Sequence, residues 1–333
     1  MDADLTRAVE DSSDLTLDTH GPAERFERSR LALFAAHGFA GQSKRITDRA
    51  GRETYAMVHG DGPCPTVLVH GGVGVATEWA LLAGQLSGPV FIVDRPGYGL
   101  TYPMDYRGID FRRDAADWLL GVVDGLAVER INLVGGSMGG FFAMAFAAAH
   151  PDRVRLLGLV GAPAGLHREF PLFLRIYAHP ILGRIIARIK MSPEMLRDRA
   201  FSTYLTHPET LTMELLEVAA AGGMLPGTAL TARTVLNSMA TLRGQRPELL
   251  LWDEMTRLEV PTRFIWGDHD SILPLTSGEE LAGLMRDARL TVIADAGHMP
   301  QLDQPKAVAA VLDPLLGSSP LAGSILARRH ASA

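Results

Sequence analysis

A serine in a glycine-rich turn is the residue best suited to nucleophilic chemistry in this chain. Ser137 is the centre of a Gly-x-Ser-x-Gly pattern, which follows the apolar run 131–134 and precedes the Ala-rich segment 141–149. A strand, a sharp turn and a helix in this order form a nucleophile elbow, which exposes the serine Oγ at the tip of the turn. The backbone N–H of Met138 would then be free to donate to an oxyanion. A serine that only caps a helix fits the same pattern, so other residues are needed to distinguish a nucleophile from a helix cap.

A serine nucleophile needs a general base and an acid that orients this base. His298 follows the apolar run 290–293, and Asp270 follows the run 262–266. The order serine, acid, histidine along the chain is one that serine hydrolases with an open α/β sheet use. We therefore predict that Ser137 is the nucleophile, His298 the general base and Asp270 the orienting acid.

Other polar residues close to these motifs are weaker candidates. Asp268 and Asp295 are the alternative carboxylates for the orienting acid. Asp94 precedes Ser137 in the chain and so does not fit the order serine, acid, histidine. A role in a turn is therefore favoured over a role in catalysis. His70 is favoured as a structural residue.

A second glycine-rich stretch, at residues 70–74, follows the first apolar strand and predicts the other half of an oxyanion hole. Glycines at this position allow backbone N–H groups to point into a cleft. Gly72 is the preferred donor and Val73 the alternative, and the N–H of Met138 would complete the pair. A phosphate-binding loop is disfavoured, because the third glycine of the dinucleotide fingerprint and a Gly-Lys-Ser/Thr sequence are both absent.

Apolar strand-like runs alternate with helical patterns up to residue 162 and again from residue 260. This alternation predicts an α/β fold with a mostly parallel central sheet of about eight strands and helices on both faces. Between these parts only helical patterns occur, separated by prolines and glycines, so we expect a helical cap inserted after strand 6. The predicted organisation is a loose N-terminal arm (1–22), a core (23–162 and 260–316), the cap segment (163–259) and a weakly ordered tail (317–333).

Composition and charge exclude several classes of function. The 333 residues carry a formal net charge of -6 without a long basic run, which argues against a nucleic-acid partner on electrostatic grounds. The single cysteine, Cys64, excludes an internal disulfide. No signal peptide pattern and no apolar run of about 20 residues is present, so we expect a cytoplasmic protein without an integral membrane segment. The histidines have no ligand-like spacing, so neither a metal nor an organic cofactor is expected.

The cap segment is rich in Met and Leu, which favours a small apolar or aromatic ester-like substrate over a sugar or phosphate. Residues 181–190 are amphipathic and basic. They could contact an anionic surface or a substrate carboxylate, but a solvated face of the cap is the favoured interpretation. A homo-oligomer is compatible with the sequence.

Taken together, these motifs resemble those of the α/β-hydrolase superfamily over residues 44–316. The matching stretches are His70-Gly71-Gly72, Asp94-Arg95-Pro96-Gly97-Tyr98-Gly99, Gly135-Gly136-Ser137-Met138-Gly139-Gly140, Trp266-Gly267-Asp268-His269-Asp270 and Gly297-His298. The resemblance implies that Asp270, the last residue of the Trp-Gly-x-x-Asp pattern, is the acid and that residues 163–259 correspond to the cap domain of the family.

The same resemblance narrows the activity without fixing the substrate. Serine at position 137 argues against haloalkane dehalogenases and epoxide hydrolases, which carry aspartate there. The expected activity is hydrolysis of a carboxylic ester through an acyl-enzyme, with a lactonase or a C–C bond hydrolase as alternatives. C–C hydrolases usually have a Ser-Gly-x-Gly-type loop where this chain has Gly72-Val73-Gly74. A small-molecule receptor that retains the triad, or a non-hydrolytic lyase, would belong to a different class.

Overall fold

An eight-stranded sheet forms the centre of the computed structural model, which describes residues 21–72, 75–186 and 188–317. The strands, with a separate two-stranded hairpin (β7 and β8), are β1 Gln42–Thr47, β2 Glu53–His59, β3 Thr66–Val69, β4 Val90–Val93, β5 Ile131–Gly136, β6 Val154–Val160, β7 Ala240–Thr241, β8 Gly244–Gln245, β9 Thr262–Gly267 and β10 Ala288–Ile293. The order in the large sheet is β1-β2-β4-β3-β5-β6-β9-β10. β2 is antiparallel to both of its neighbours, and the other pairs are parallel. The predicted mostly parallel sheet of about eight strands is therefore confirmed.

Helices connect these strands and account for most of the segment between β6 and β9. Their bounds are α1 Pro22–Ala36, α2 Ala80–Ala83, α3 Phe111–Gly125, α4 Met138–Ala149, α5 Leu172–Ala178, α6 Pro180–Ile186, α7 Pro193–Met195, α8 Ser202–Tyr204, α9 Met213–Gly223, α10 Thr228–Met239, α11 Trp252–Arg257, α12 Leu275–Leu284, α13 Pro300–Asp303 and α14 Pro305–Leu316. A π-helical turn, Leu196–Phe201, joins α7 to α8.

The sheet is covered on both faces, as its apolar strands predict. Successive residues of β3 point to opposite faces. Val67 belongs to the hydrophobic cluster that contains Trp118 of α3 and Phe142 of α4. Leu68 belongs to the second cluster, which contains Phe34 of α1. The predicted helices on both faces are therefore confirmed.

The cap segment contains α5 to α11 and also the β7–β8 hairpin. The expectation of helical structure alone is wrong at this hairpin, because strands of two residues are too short to produce an alternating apolar pattern. The division into core and cap remains a prediction. Residues 1–20 of the predicted arm and 318–333 of the predicted tail lie outside the described residues.

No single helix in the described ranges is long and apolar enough to cross a membrane. α9 and α10 reach the length and apolar composition of a membrane-spanning segment only when they are taken together, and the two helices are bent by 79° relative to each other.

Candidate active site

The predicted nucleophile stands alone between β5 and α4. Ser137 has φ 49° and ψ -111°, a backbone conformation that is strained for any residue other than glycine. The turn is tight because its neighbours lack side chains. A Cβ on Gly135 would lie 2.4 Å from the carbonyl oxygen of Gly139, and a Cβ on Gly139 would lie 2.1 Å from that of Val69. The glycines of the motif are therefore required by backbone contacts, and they hold Ser137 at the carboxyl end of the sheet.

The structure brings the three predicted catalytic residues into one chain of hydrogen bonds. His298 Nε2 lies 2.8 Å from Ser137 Oγ, and His298 Nδ1 lies 3.0 Å from the nearer carboxylate oxygen of Asp270. The side chains of His298 and Asp270 are 2% and 1% exposed. The backbone N–H of His298 donates to the carbonyl oxygen of Tyr204 at 2.6 Å, which links the histidine loop to the cap segment.

Backbone donors hold the Asp270 carboxylate in place. Its oxygens accept the N–H of Ala162 at 2.9 Å and that of Ile272 at 2.8 Å. Burial alone would raise the pKa of Asp270, but the charge of His298 and these hydrogen bonds outweigh it, so the pKa lies below its usual value. An ionised carboxylate only accepts hydrogen bonds. When the imidazole is neutral, Nδ1 of His298 must therefore carry its proton, which leaves Nε2 free to accept from Ser137.

The alternative carboxylates have other partners. Asp268 Oδ1 accepts the backbone N–H of Ala296 at 3.1 Å. Asp295 lies 2.8 Å from the Nε2 of His207 near the surface. Among the described residues, Asp270 is the carboxylate that contacts His298.

His70 and Asp94 have the contacts of structural residues. The Nε2 of His70 accepts the backbone N–H of Arg95 at 3.0 Å, and its Nδ1 lies 2.9 Å from the carbonyl oxygen of Gly71. Burial and then the charge of Arg95 keep the pKa of His70 well below its usual value. Asp94 forms a buried ion pair with Arg30 at 2.8 Å.

Gly72 and Met138 both line the cavity that contains Ser137. Met138 is the first residue of α4, so its N–H has no acceptor within the helix. The N–H of Gly71 is directed elsewhere, to the side chain of Glu78. Val73 lies outside the described residues. Gly72 and Met138 therefore lie where oxyanion donors are expected, and their roles as donors remain predictions.

Glu78 is a residue of the cavity that none of the sequence motifs indicates. It is 2% exposed and lines the cavity, where its Oε1 accepts the N–H of Gly71 at 2.9 Å. Burial raises the pKa of Glu78 from 4.5 to about 8, against the opposing effects of the Gly71 N–H and the Arg95 charge. The carboxyl is therefore largely protonated at neutral pH. A signal was present in the sequence, because Glu78 is the only charged residue between His70 and Asp94.

Glu78 also lies close to the nucleophile. A Cβ placed on Gly71 would be 3.1 Å from Glu78 Oε2 and 3.3 Å from the Cβ of Ser137. Oε2 has no hydrogen-bond partner in the described part of the chain. Together with Arg95, which donates to the carbonyl oxygens of His70 and Gly71, Glu78 fixes the backbone that leads into Gly72.

A cavity of about 540 Å³ extends from Ser137 between the core and the cap segment. Most of the side chains that line it are apolar or aromatic, and Arg199 is the only Lys or Arg among the described lining residues. Residues that represent the apolar wall are Val160, Phe170, Phe173, Leu174, Tyr177, Met191, Met195, Tyr204, Leu236 and Met299. In the described ranges no group of three or more His, Cys, Asp or Glu side chains could hold a metal ion.

Comparisons with known proteins identify the fold family of the chain. The family described as alpha/beta hydrolase fold matches residues 65–305. A 2-hydroxy-6-oxononadienedioate/2-hydroxy-6-oxononatrienedioate hydrolase from Cupriavidus pinatubonensis is 28% identical and covers 81% of this chain and 88% of its own. A 2-hydroxy-6-oxo-6-phenylhexa-2,4-dienoate hydrolase from Comamonas testosteroni is 29% identical over 72% of this chain and 82% of its own. The structure of a carboxylesterase from Bacillus subtilis superposes with a TM-score of 0.69 at 19% identity, over 90% of this chain and 99% of the other.

Proposed function

The chain belongs to the alpha/beta hydrolase fold family, and on that premise we propose that it is a serine hydrolase of small, largely apolar carboxylic esters. The observation that carries this proposal is the hydrogen-bonded chain from Ser137 through His298 to Asp270, which opens into an apolar cavity. The cap segment provides much of the wall of this cavity, so we propose that it selects the substrate.

In the proposed reaction, Ser137 Oγ attacks the ester carbonyl while His298 Nε2 accepts its proton. Asp270 holds the imidazole in the required tautomer and stabilises the imidazolium. The N–H groups of Gly72 and Met138 stabilise the oxyanion, and one such donor contributes roughly 3–4 kcal/mol to lowering the barrier. His298 then protonates the leaving alcohol and activates a water molecule, which hydrolyses the acyl-enzyme.

The polar groups of the cavity support a neutral substrate. Arg199 is the single cation among the described lining residues, and it lies at the surface. Glu78 is largely protonated at neutral pH because its pKa is raised to about 8. An apolar cavity with few charges gives little compensation for the desolvation of a charged ligand. The apolar side chains that line the cavity therefore favour esters that carry no ionised group.

Cleavage of a C–C bond is the second candidate, and the names of the curated relatives favour it. A dioate carries two carboxylates, for which Arg199 alone provides too little positive charge. A phenyl-substituted dienoate carries one carboxylate and suits this cavity better. If the chain hydrolyses such a dienoate, Arg199→Gln should raise KM at least tenfold for it and leave KM for a neutral ester within about twofold.

The first test is the mass of the intact protein after incubation with a fluorophosphonate, together with turnover of p-nitrophenyl esters of increasing acyl length. We expect one adduct per chain and ester turnover, with both lost in Ser137→Ala. Retention of most of the turnover by Ser137→Ala would refute the mechanism. Labelling without ester turnover would favour a C–C bond or lactone substrate, and the absence of both would favour a receptor.

A further inference from the structure

Helix α6 presents its apolar side to the outside of the molecule. Ile181 is 67% exposed and Ile185 57% exposed, as is Ile189 just beyond the helix. The side that packs inward contains Gly183, on which a Cβ would lie 2.0 Å from the carbonyl oxygen of Tyr177. A surface helix of a globular protein normally buries its apolar side. Gly183 is the buried residue of α6, so these isoleucines remain uncovered and form a candidate contact surface.

The exposed apolar surface extends beyond α6 to its neighbours in the chain. Leu172 and Phe173 on α5 are 61% and 42% exposed. Isolated exposed apolar residues are normal, but a contiguous group indicates an interaction site. We call this group the docking face, and its members are Leu172, Phe173, Ile181, Leu182, Ile185, Ile186, Ile189 and Met191.

The segment that carries the docking face is cationic, although the whole chain is acidic. Residues 170–193 contain four cations and no Asp or Glu, whereas the chain has a net charge of -6. Arg184, Arg188 and Lys190 are exposed. Within the described part of the chain none of these three side chains forms an ion pair. Apolar side chains flanked by unpaired cations are typical of segments that lie in the interface of an anionic lipid layer.

The docking face is continuous with the entrance of the cavity. Four of its members, Phe173, Ile186, Ile189 and Met191, also line the cavity that leads to Ser137. A surface that covers the docking face would therefore lie directly against this entrance.

From this juxtaposition we propose that the docking face binds an anionic lipid surface and that the cavity receives apolar substrates from it. A second copy of the chain is a poorer occupant. A twofold interface would place the cations of one docking face against the same cations of its partner. An anionic lipid layer neutralises these charges and covers the apolar side chains at the same time. The delivery of substrate rests on the proposed function, whereas the binding does not.

The test is sedimentation of the full chain with vesicles of phosphatidylglycerol or of phosphatidylcholine. We expect strong binding to the anionic vesicles only. Ile181→Asn/Ile185→Asn and, separately, Arg184→Gln/Arg188→Gln should each reduce the partition coefficient by at least tenfold. Neither pair lines the cavity, so turnover of a water-soluble ester should be unchanged.

Matched controls change exposed residues elsewhere. Leu242→Asn/Leu284→Asn removes two apolar side chains that are 51% and 55% exposed. Arg113→Gln/Arg286→Gln removes the same amount of charge from two exposed sites. Both control proteins should bind as the wild type does. Equal losses in controls and docking-face variants, or no binding to anionic vesicles, would overturn the proposal. A dimer in light scattering that Ile181→Asn/Ile185→Asn abolishes would also overturn it, in favour of a second copy.

The two proposals fail in different ways. Ser137→Ala should bind anionic vesicles as the wild type does, because the docking face is unchanged. Vesicle binding without any ester turnover would refute the proposed function and leave the docking face in place. Delivery is measured with a long-chain ester embedded in the vesicles. Its hydrolysis should be faster in anionic than in neutral vesicles, and the docking-face variants should lose this difference. Equal rates in both vesicles would refute delivery.

Discussion

Replacement of Glu78 by Gln should make the protein more stable at alkaline pH. Glu78 is buried beside the nucleophile turn, and its pKa is raised from 4.5 to about 8 mainly by burial. Gln retains the oxygen that accepts the N–H of Gly71, and its amide nitrogen replaces Oε2, which has no hydrogen-bond partner among the described residues. The substitution therefore removes the ionisation and preserves the local hydrogen bonding.

The magnitude follows from the linkage between proton binding and folding. A raised pKa means that the folded state binds the proton more tightly than the unfolded state. The contribution of Glu78 to the free energy of unfolding is therefore complete below pH 4.5 and is lost as the pH rises towards about 8. Within this window the slope is about 1.4 kcal/mol per pH unit. Between pH 5 and pH 8 the wild type should lose about 3 kcal/mol that the Glu78→Gln variant keeps.

The assay is urea unfolding followed by tryptophan fluorescence, for wild type and variant, at pH values from 5 to 9. Other groups titrate in this range, so the informative quantity is the difference between the two proteins at each pH. Trp79 is fully buried next to Glu78 and should report the transition. Glu169→Gln is the matched control, because Glu169 lines the same cavity but is exposed.

We expect a difference near zero at pH 5 that grows to about 3 kcal/mol in favour of Glu78→Gln at pH 8. Glu169→Gln should follow the wild type throughout. A difference that stays constant from pH 5 to pH 8 would refute the assignment of a raised pKa to Glu78. A variant that is already several kcal/mol less stable at pH 5 would refute the claim that Gln preserves the hydrogen bonding.

Three further substitutions test other parts of the site and its scaffold. Asp270→Asn should lower kcat for a p-nitrophenyl ester on the order of 10⁴-fold, because the histidine would adopt the wrong tautomer. The kcat of Asp268→Asn should stay within about tenfold of the wild type. A larger loss in Asp268→Asn than in Asp270→Asn would assign the acid to Asp268. Gly139→Ala should cost about 3 kcal/mol or more in urea unfolding because its Cβ meets a backbone oxygen at 2.1 Å, while Gly223→Ala, with open space around it, should be neutral or stabilising. Arg30→Met should cost about 3–5 kcal/mol in the same assay, because it leaves a buried carboxylate without its partner; a loss below about 1 kcal/mol would contradict this.

Residues whose position is set by backbone geometry could be predicted from the sequence. β3 has the bounds Thr66–Val69 that its apolar run indicates, because a fully buried strand needs continuous apolar residues. The Gly-x-Ser-x-Gly pattern predicted the turn at Ser137, because backbone contacts exclude a Cβ at Gly135 and Gly139. The positions of Asp270 and His298 followed from the rule that parallel strands present their carboxyl ends at one edge.

Features that depend on tertiary contacts could not be predicted from the sequence. Helix α12 (Leu275–Leu284) contains two glycines, each of which disfavours a helix by about 1 kcal/mol relative to alanine. One of them, Gly278, packs against the indole of Trp266, where a Cβ would lie 2.9 Å from the ring. Local propensity therefore opposes this helix, and packing on the sheet stabilises it. The environment of Glu78 has a similar origin, since residues distant in sequence bury it.

The amphipathic pattern of residues 181–190 shows which property of a helix the sequence leaves open. The spacing of its isoleucines identifies an apolar side, and the interpretation as a solvated face assumes that this side packs inward. In the structure the buried residue of α6 is Gly183, whose missing side chain allows close contact with Tyr177. A larger residue at 183 would prevent this contact and favour rotation of the helix. The lipid-docking proposal depends on the outward position of Ile181 and Ile185, which the close contact at Gly183 accompanies.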